Sequence, residues 1–317
     1  MAYLDLLAMD FGGGSGRGIL GRFDGERVSL TEVHRFSNFF VDIQGTYYWS
    51  ALRMLHETQE AVGRVRLQCP DAQLRSIGLD TWGTDYGLLD HNGQPIGGCR
   101  CMRNADGLGV QLAQRRMTAE QLFARTGLQT IYGNTLFQLL ERKQRQDPAL
   151  AAAKALLMLP DLLAYFLTGE MQNEYTIAST SMLLNAQTRT WDRELMRTMD
   201  LPEAVLRPVI TPGSVRWPVR LAAIRELGYD QLQYVPVASH DTASAVAAAP
   251  LQPGELFCSS GTWSLFGAEL DEPILTKQAF ENNFSNEGGV DGKIRFLKNI
   301  MGMWILQQCN AQWQQQG

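Results

Sequence analysis

The chain has 317 residues, of which 45% are hydrophobic, 9% aromatic and 19% charged, so it can bury a sizeable core and is not predicted to be disordered. At about 150 residues per domain, this length predicts two domains. The 28 basic and 33 acidic side chains give a net charge of −5, without the basic field that a nucleic-acid partner requires.

The N-terminal segment predicts an antiparallel meander. Three strands are expected, with sequences LLAMDF, RGILGRF and ERVSLTEVHRF, and Asp24 with Gly25 supplies a hairpin turn. Asp5 and Asp10 interrupt the apolar run that a secretory signal needs, and no basic leader precedes them. The five scattered cysteines favour reduced thiols over a disulfide framework. We therefore expect a mature, cytoplasmic protein.

The turn DFGGGSGR between the first two strands is a candidate phosphate cradle. Consecutive glycines allow backbone N–H groups to approach an anion, and Arg17 adds a positive charge. A glycine-rich hairpin in which Asp10 satisfies only its own turn explains the segment equally well. Gly16, Gly18 and Gly21 also match the dinucleotide pattern G-x-G-x-x-G, but a strand follows instead of the helix that this motif must open.

One helix and a second strand pair are predicted next. Ser50 can cap the helix, in which apolar residues recur at helical spacing. The strands RSIGLDTWG and TDYGLLD are expected to pair, closed by the turn at Asn92 and Gly93.

The middle third of the chain, about residues 105–200, is predicted to be mainly helical. Thr118 and Gln121 form a plausible capping box, and Pro148 lies near the start of another helix. The most apolar stretch, residues 155–167, is interrupted by a proline and an aspartate and is shorter than the roughly 18 residues of a membrane span. No membrane partner is therefore predicted.

The last third predicts a strand, a loop and a helix, followed by a second hairpin. The strand YVPVAS leads through His240, Asp241 and Thr242 into a helix rich in small residues. The segment GELFCSSGTWSLFGAEL then repeats the opening arrangement of strand, tight turn and strand. A final helix is expected from about Leu297. Because the second half is too short for a sheet domain that matches the first, we expect a missing carboxy-terminal portion.

Two such turns facing each other across a gap suit phosphoryl transfer. Ser260, Gly261 and Thr262 can present hydroxyl and N–H groups to a second phosphate. The reaction requires positioning, a divalent ion and a carboxylate that takes the proton of the attacking hydroxyl, for which Asp241 is the candidate. Helix capping is the competing explanation of Asp241. Asp10 is a candidate outer ligand of Mg²⁺, an ion that combines carboxylates with phosphate oxygens and waters.

Other chemistries lack their sequence patterns. The four histidines have no metal-ligand spacing, and Cys99 with Cys101 lacks a second ligand pair for zinc. No G-x-S-x-G segment marks a serine hydrolase.

Six segments together resemble the FGGY carbohydrate kinases: DFGGGSGR, LDTWGTDYGLLD, NEYTIASTS, VASHDTASAV, SSGTWSLFG and FLKNIMGMWILQQ. The similarity extends from Met1 to about Gln308. It implies an α/β, actin-like and ribonuclease-H-like fold of two lobes, of which the second is incomplete. Residues 1–246 are then the sugar-binding and catalytic lobe, and residues 247–317 begin a truncated ATP-binding lobe. The resemblance further implies ATP and Mg²⁺ in the cleft and phosphorylation of the C1 hydroxyl of L-rhamnulose, in L-rhamnose catabolism.

The resemblance also implies roles for individual residues. Contacts to ATP are implied for Gly13, Gly14, Ser15, Gly16, Arg17, Thr262 and Gln307. Contacts to the sugar are implied for Gly83, His240, Asp241, Thr242 and Asn299, with Asp241 as the proton acceptor. Where relatives typically carry an Arg-Asp pair, this chain has Arg103 and Asn104, so a carboxylate is missing near the expected sugar.

Three functions remain open at this point. The first is ATP-dependent phosphorylation of L-rhamnulose, and the second is a kinase for another ketose, such as fuculose or xylulose. The third is a non-catalytic, truncated remnant that still binds a ketose. The sequence does not predict the oligomeric state.

Overall fold

The computed structural model describes residues 3–252, 254–261 and 263–316; for residues 304, 307, 311, 315 and 316 it describes the backbone alone. Two expected ATP contacts, Thr262 and the side chain of Gln307, therefore lie outside the described residues. None of the described helices is long and apolar enough to cross a bilayer.

The strands are numbered in chain order. They are β1 (Leu4–Phe11), β2 (Ser15–Phe23), β3 (Val28–Ser37), β4 (Phe40–Ile43), β5 (Thr46–Trp49), β6 (Leu74–Thr81), β7 (Tyr86–Leu89), β8 (Pro95–Ile96), β9 (Cys99–Arg100), β10 (Ala155–Met158), β11 (Asn173–Glu174), β12 (Val209–Ile210), β13 (Trp217–Pro218), β14 (Gln233–Tyr234), β15 (Phe257–Ser260), β16 (Trp263–Leu270), β17 (Ser285–Gly288) and β18 (Ile294–Met301).

The helices are numbered in the same way. They are α1 (Ala51–Gln68), α2 (Leu108–Gln114), α3 (Ala119–Thr126), α4 (Thr135–Gln144), α5 (Pro148–Ala152), α6 (Leu159–Thr168), α7 (Tyr175–Ala178), α8 (Arg193–Thr198), α9 (Ala222–Arg225), α10 (Asp241–Ala248), α11 (Lys277–Glu281) and α12 (Trp304–Gln316).

A six-stranded sheet with strand order β13-β14-β6-β1-β2-β3 forms the base of the molecule. The strands β1, β2 and β3 pair antiparallel in sequence order, which confirms the predicted meander and its turn at Asp24 and Gly25. The glycines of the G-x-G-x-x-G match lie within β2 and open no helix, as expected. The helix α1, capped by the Ser50 side chain, covers one face of this sheet and closes its apolar core.

The predicted pairing of the second strand pair is wrong. The strand β6 runs parallel to β1, while β7 pairs with β10 and β8 in a separate three-stranded sheet, and the turn at Asn92 and Gly93 joins β7 to β8. Ile77 and Leu79 of β6 share one face of the sheet and are both fully buried, as expected of a central strand that packs against an apolar core. Thr84, in the connection from β6 to β7, has a φ of 70°.

The middle third is mainly helical, as predicted, and encloses a second core between α2, α4 and the segment that follows α7. Thr118 and Gln121 form the predicted capping box at the start of α3, and Pro148 occupies the first turn of α5. The five cysteines are free thiols, also as predicted.

A four-stranded antiparallel sheet with order β15-β16-β18-β17 follows α10. The hairpin of β15 and β16 confirms the predicted second hairpin. The predicted start of the last helix at Leu297 is wrong, because Leu297 is fully buried in β18 and α12 begins only after Gly302. The apolar residues around Ile300 match helical spacing only across this boundary, and a short apolar run does not distinguish a strand from a helix.

Candidate functional site

The strands β1 and β6 bring their carboxyl ends to one edge of the six-stranded sheet. Because they are parallel neighbours in register, Asp10 lies beside Asp80. Thr81, the last residue of β6, bridges to His240, and its N–H donates to the carbonyl of Ser239 at 2.9 Å. The segment that precedes α10 is thereby fixed at the same edge as the two aspartates.

The glycine-rich turn begins directly after Asp10. Arg17 stands opposite Asp10 on β2, and its Nε atom lies 2.9 Å from the Asp10 carboxylate. Both side chains are partly exposed, at 42% and 35%. The turn thus carries one cation that is paired internally and is also reachable by an anion.

The glycines of this turn differ in their surroundings. A Cβ atom at Gly13 or Gly14 would meet no atom within 4 Å, so the backbone there is open to a ligand. A Cβ atom at Gly16 would lie 2.2 Å from the ring of Phe36, so this glycine is needed for internal packing. Asn38 holds the turn by donating from Nδ2 to the carbonyl of Gly12 at 2.8 Å.

Negative charge accumulates at this edge. Burial raises the pKa of Asp80 well above its usual value, and Asp10 and Asp241 raise it further. Burial also raises the pKa of Asp10, which Arg17 partly offsets. A bound cation would relieve this repulsion, so the carboxylates fit Mg²⁺. Among the described residues no group of three or more His, Cys, Asp and Glu side chains is arranged to hold a metal ion.

Asp241 is the first residue of α10. Its Oδ1 atom accepts hydrogen bonds from the N–H and the hydroxyl of Thr242, the latter at 3.0 Å, and lies 3.4 Å from Nε2 of His240. Its side chain is 39% exposed, so it is accessible as well as held. The hydrogen bond from the Thr242 N–H satisfies a backbone donor at the start of α10. None of the hydrogen bonds among the described residues uses Oδ2, so this oxygen is available to a ligand.

A buried carboxylate supports the loop before Asp241. Glu174 accepts hydrogen bonds from the Thr176 hydroxyl at 2.6 Å and from the Ser239 N–H at 3.0 Å. The N–H of His240 donates in turn to the Thr176 hydroxyl oxygen at 3.2 Å. These bonds fix the backbone on which the candidate base stands.

His240 contacts a buried ion pair from the four-stranded sheet. Nη2 of Arg295 lies 3.0 Å from Nδ1 of His240 and 3.3 Å from Oε2 of Glu287. Burial would raise the pKa of Glu287, but the positive charge of Arg295 helps to hold it below its usual value. Asn299 lies on β18, four residues after Arg295. Its side chain also helps to lower the pKa of Glu287 by hydrogen bonding.

Gly83 lies in a closely packed segment. A Cβ atom there would be 3.0 Å from the side chain of Thr180, whose hydroxyl accepts a hydrogen bond from the N–H of Thr84. Next to it, Trp82 donates from Nε1 to Oδ2 of Asp85 at 2.8 Å. Asn104 uses its side chain for internal bonds to the backbone of Tyr47, so the residue that replaces an expected aspartate has a structural role.

The second turn is closed by its own hydrogen bonds. The hydroxyls of Ser260 and Ser264 lie 2.8 Å apart, and the carbonyl of Gly261 accepts from the Met303 N–H at 2.9 Å. Among the described residues no hydrogen bond or ion pair joins this turn to the first one. The structure thus brings together Asp10, Arg17, His240, Asp241 and Thr242.

Several residues of this region were not among the sequence-based candidates. Asp80 could have been found, since β1 and β6 both carry an aspartate as their last residue but one. Glu287 and Arg295 carry no such signal, because each is a single charge in a segment for which the sequence predicts no element. The pairing of the two strands is what brings them opposite each other.

Two family models match the chain. Residues 6–248 match the N-terminal domain of the FGGY family of carbohydrate kinases, and residues 256–317 match its C-terminal domain.

The curated relatives include proteins named rhamnulokinase. The protein from Bacteroides thetaiotaomicron is 38% identical over 311 residues, which are 98% of this chain and 64% of the relative. The protein from Pectobacterium atrosepticum is 39% identical over 97% of this chain and 62% of its own length. The chain therefore spans somewhat less than two thirds of the length of these relatives.

Solved structures share the fold at lower identity. A xylulose kinase from Lactobacillus acidophilus superposes with a TM-score of 0.80 at 18% identity, covering 92% of this chain and 59% of the other. The Plasmodium falciparum glycerol kinase with ADP gives 0.77 at 15% identity, covering 96% and 64%. The α/β, actin-like fold class predicted from the sequence is thereby confirmed.

Proposed function

Because this chain belongs to the FGGY family of carbohydrate kinases, we propose that it transfers the terminal phosphoryl group of ATP to the C1 hydroxyl of L-rhamnulose. Relatives named rhamnulokinase, at 35% to 39% identity, support this choice of sugar. The observation that carries the proposal is the position of Asp241, held and half-exposed beside Asp10 and the first glycine-rich turn.

In the proposed reaction Asp241 takes the proton of the C1 hydroxyl on its free Oδ2 atom. The sugar oxygen then forms a bond to the γ-phosphorus, while the bond from that phosphorus to the bridging oxygen breaks and ADP leaves with the electron pair. Residues 13–17 hold the phosphates, with further ATP contacts from Thr262 and Gln307. Mg²⁺ bound near Asp10 supplies charge neutralisation of the phosphates.

The sugar is proposed to contact Gly83, His240, Thr242 and Asn299. We place the boundary between the two lobes at residues 246 and 247, near the end of α10, where Val246 packs against Phe257 of the four-stranded sheet. Reduced cysteines and the use of ATP support a cytoplasmic location.

The test is an assay of this chain with ATP, Mg²⁺ and a panel of ketoses, coupled to ADP formation. We expect transfer to L-rhamnulose in preference to fuculose and xylulose. The substitution Asp241→Asn should lower kcat by roughly 10²- to 10⁴-fold, the usual contribution of a general base, with sugar binding retained in calorimetry. The exposed Asp271→Asn is the matched control and should leave turnover unchanged.

Three outcomes would contradict the proposal. Preferred transfer to another ketose would replace the substrate, and substantial kcat in Asp241→Asn would remove the base. Sugar binding without ATP binding or phosphoryl transfer would favour the truncated, non-catalytic alternative. That alternative is tested because the chain covers only 64% of the Bacteroides thetaiotaomicron relative.

A further inference from the structure

Two buried charges reach His240 from the four-stranded sheet. Arg295 is fully buried and Glu287 is 6% exposed, and the two residues are cross-strand partners on β18 and β17. Nε of Arg295 donates to the carbonyl of Gly288 at 2.9 Å, which fixes the plane of the guanidinium. Its Nη2 atom is thereby directed at the imidazole of His240.

This contact determines where the imidazole carries its proton. A guanidinium nitrogen can only donate, so Nδ1 of His240, at 3.0 Å from Arg295, must accept. Oε2 of Glu287 is farther from Nδ1, at 3.4 Å, and a proton directed at it would face the N–H of Arg295. The neutral ring therefore carries its proton on Nε2, which lies 3.4 Å from Oδ1 of Asp241.

We propose that Arg295, with its charge offset by Glu287, is a positioning residue that acts on Asp241 through His240. This rests on the proposed role of Asp241 as proton acceptor. Oδ1 of Asp241 accepts both donors of Thr242 and is also the carboxylate oxygen that lies 3.4 Å from Nε2 of His240, so Oδ2 is the oxygen left to take a proton. His240 itself cannot compete for that proton, because Arg295 occupies its one basic nitrogen.

The primary test is the tautomer of His240 in the chain without ATP or sugar. Histidine side chains are labelled with ¹⁵N, and His240→Gln assigns the signal. We expect an unprotonated Nδ1 and a protonated Nε2. Since Arg295→Met alone leaves Glu287 as an unpaired buried charge, the double variant Arg295→Met/Glu287→Met removes both charges together. In it we expect His240 to become a mixture of tautomers.

Lys293→Met, at an exposed position just before β18, is the matched control and should leave the His240 signal unchanged. A protonated Nδ1 in the unchanged chain, or an unaltered signal in the double variant, would overturn the inference. Because no substrate is present, a chain without kinase activity would refute the proposed function and leave this result readable.

Kinetics then separate positioning from binding. Because the base would be misoriented, we expect the double variant Arg295→Met/Glu287→Met to lower kcat by up to about 100-fold while the KM for the ketose changes little. A raised KM with an unchanged kcat would mean that Arg295 only shapes the sugar site, and the proposed action on Asp241 would be wrong.

Discussion

Asp85 is a fully buried carboxylate enclosed by three N–H donors. Its Oδ2 atom accepts from Nε1 of both Trp49 and Trp82 at 2.8 Å, and its Oδ1 atom accepts from the Met102 N–H at 2.7 Å. It thereby joins β5, the end of β6 and the segment after β9. Burial nevertheless outweighs these bonds and raises the pKa of Asp85 to about 6.

This raised pKa predicts a pH dependence of stability. The folded protein binds the proton more tightly than the unfolded chain, so the contribution of Asp85 to stability falls as the pH rises towards and through 6. Relative to Asp85→Asn, the unchanged protein should lose roughly 1 to 1.5 kcal/mol between pH 5 and pH 7.5. Urea unfolding of both proteins at the two pH values measures the difference.

Asp90→Asn provides the control for this measurement. The Gln94 N–H holds the pKa of this exposed carboxyl below its usual value. Both the folded and the unfolded states are therefore ionised over the tested range, and the difference should stay constant. An equally constant difference for Asp85→Asn would show that its carboxyl is already ionised at pH 5.

At the scale of elements, α2 and α4 cross so closely that only glycine fits at one position. A Cβ atom at Gly109 of α2 would lie 2.2 Å from the carbonyl oxygen of Phe137 in α4. The obstacle is backbone, so it cannot move aside as a flexible side chain can. The Gly109 N–H also donates to Oε1 of Glu141 at 3.2 Å, which adds a polar contact at the crossing.

Gly109→Ala should therefore lower the free energy of unfolding by roughly 1 to 3 kcal/mol, the usual cost of overpacking. Gly63→Ala in α1 is the matched control, because its Cβ atom would meet only a leucine methyl group at 3.8 Å. That substitution should stabilise by about 0.5 to 1 kcal/mol through helix propensity. Similar effects of both substitutions in chemical denaturation would contradict the close crossing.

Which elements the sequence predicts depends on the range of the interactions involved. The capping box at Thr118 and the turn at Asp24 are set by residues within four positions, and both are confirmed. The partner of β6 depends on a parallel pairing with β1 about 70 residues away, for which hairpin spacing is a misleading guide. The contact of Arg295 with His240 spans 55 residues and has no local signal at all.

The residues of the candidate site also differ in whether a local sequence signal predicts them. Asp10, Arg17, His240, Asp241 and Thr242 lie next to recognisable turns or strand ends, and the structure brings them together. Asp80 joins this group only because the register of β6 against β1 places it beside Asp10.

At the scale of the whole molecule, β17 attaches the four-stranded sheet to the helical middle third. Asn286 donates from Nδ2 to the carbonyls of Gly127 and Ile274, both at 3.1 Å, and accepts the Ile274 N–H at 2.7 Å. Ser179 accepts the Gly288 N–H at 2.7 Å. All four residues of β17 are buried, so these bonds lie in the interface and not at its rim.

Asn286→Ala should destabilise the chain by about 1 to 3 kcal/mol, because it leaves buried backbone groups without partners. Amide hydrogen exchange should rise in β17 and around Gly127 more than in β1 or β6. Asn282→Ala, which removes one exposed bond within α11, should stay within about 0.5 kcal/mol. Uniform acceleration of exchange along the chain would contradict a local attachment.

The parallel register of Asp10 and Asp80 limits how these strands can change in length. Successive side chains of a strand point to opposite faces, so one residue inserted into β6 before Asp80 would turn its side chain away from Asp10. Two inserted residues would restore the face but displace the carboxylate by about 6.6 Å along the strand. Length variation is therefore tolerated only outside this pair of strands, in surface connections such as the one from β2 to β3.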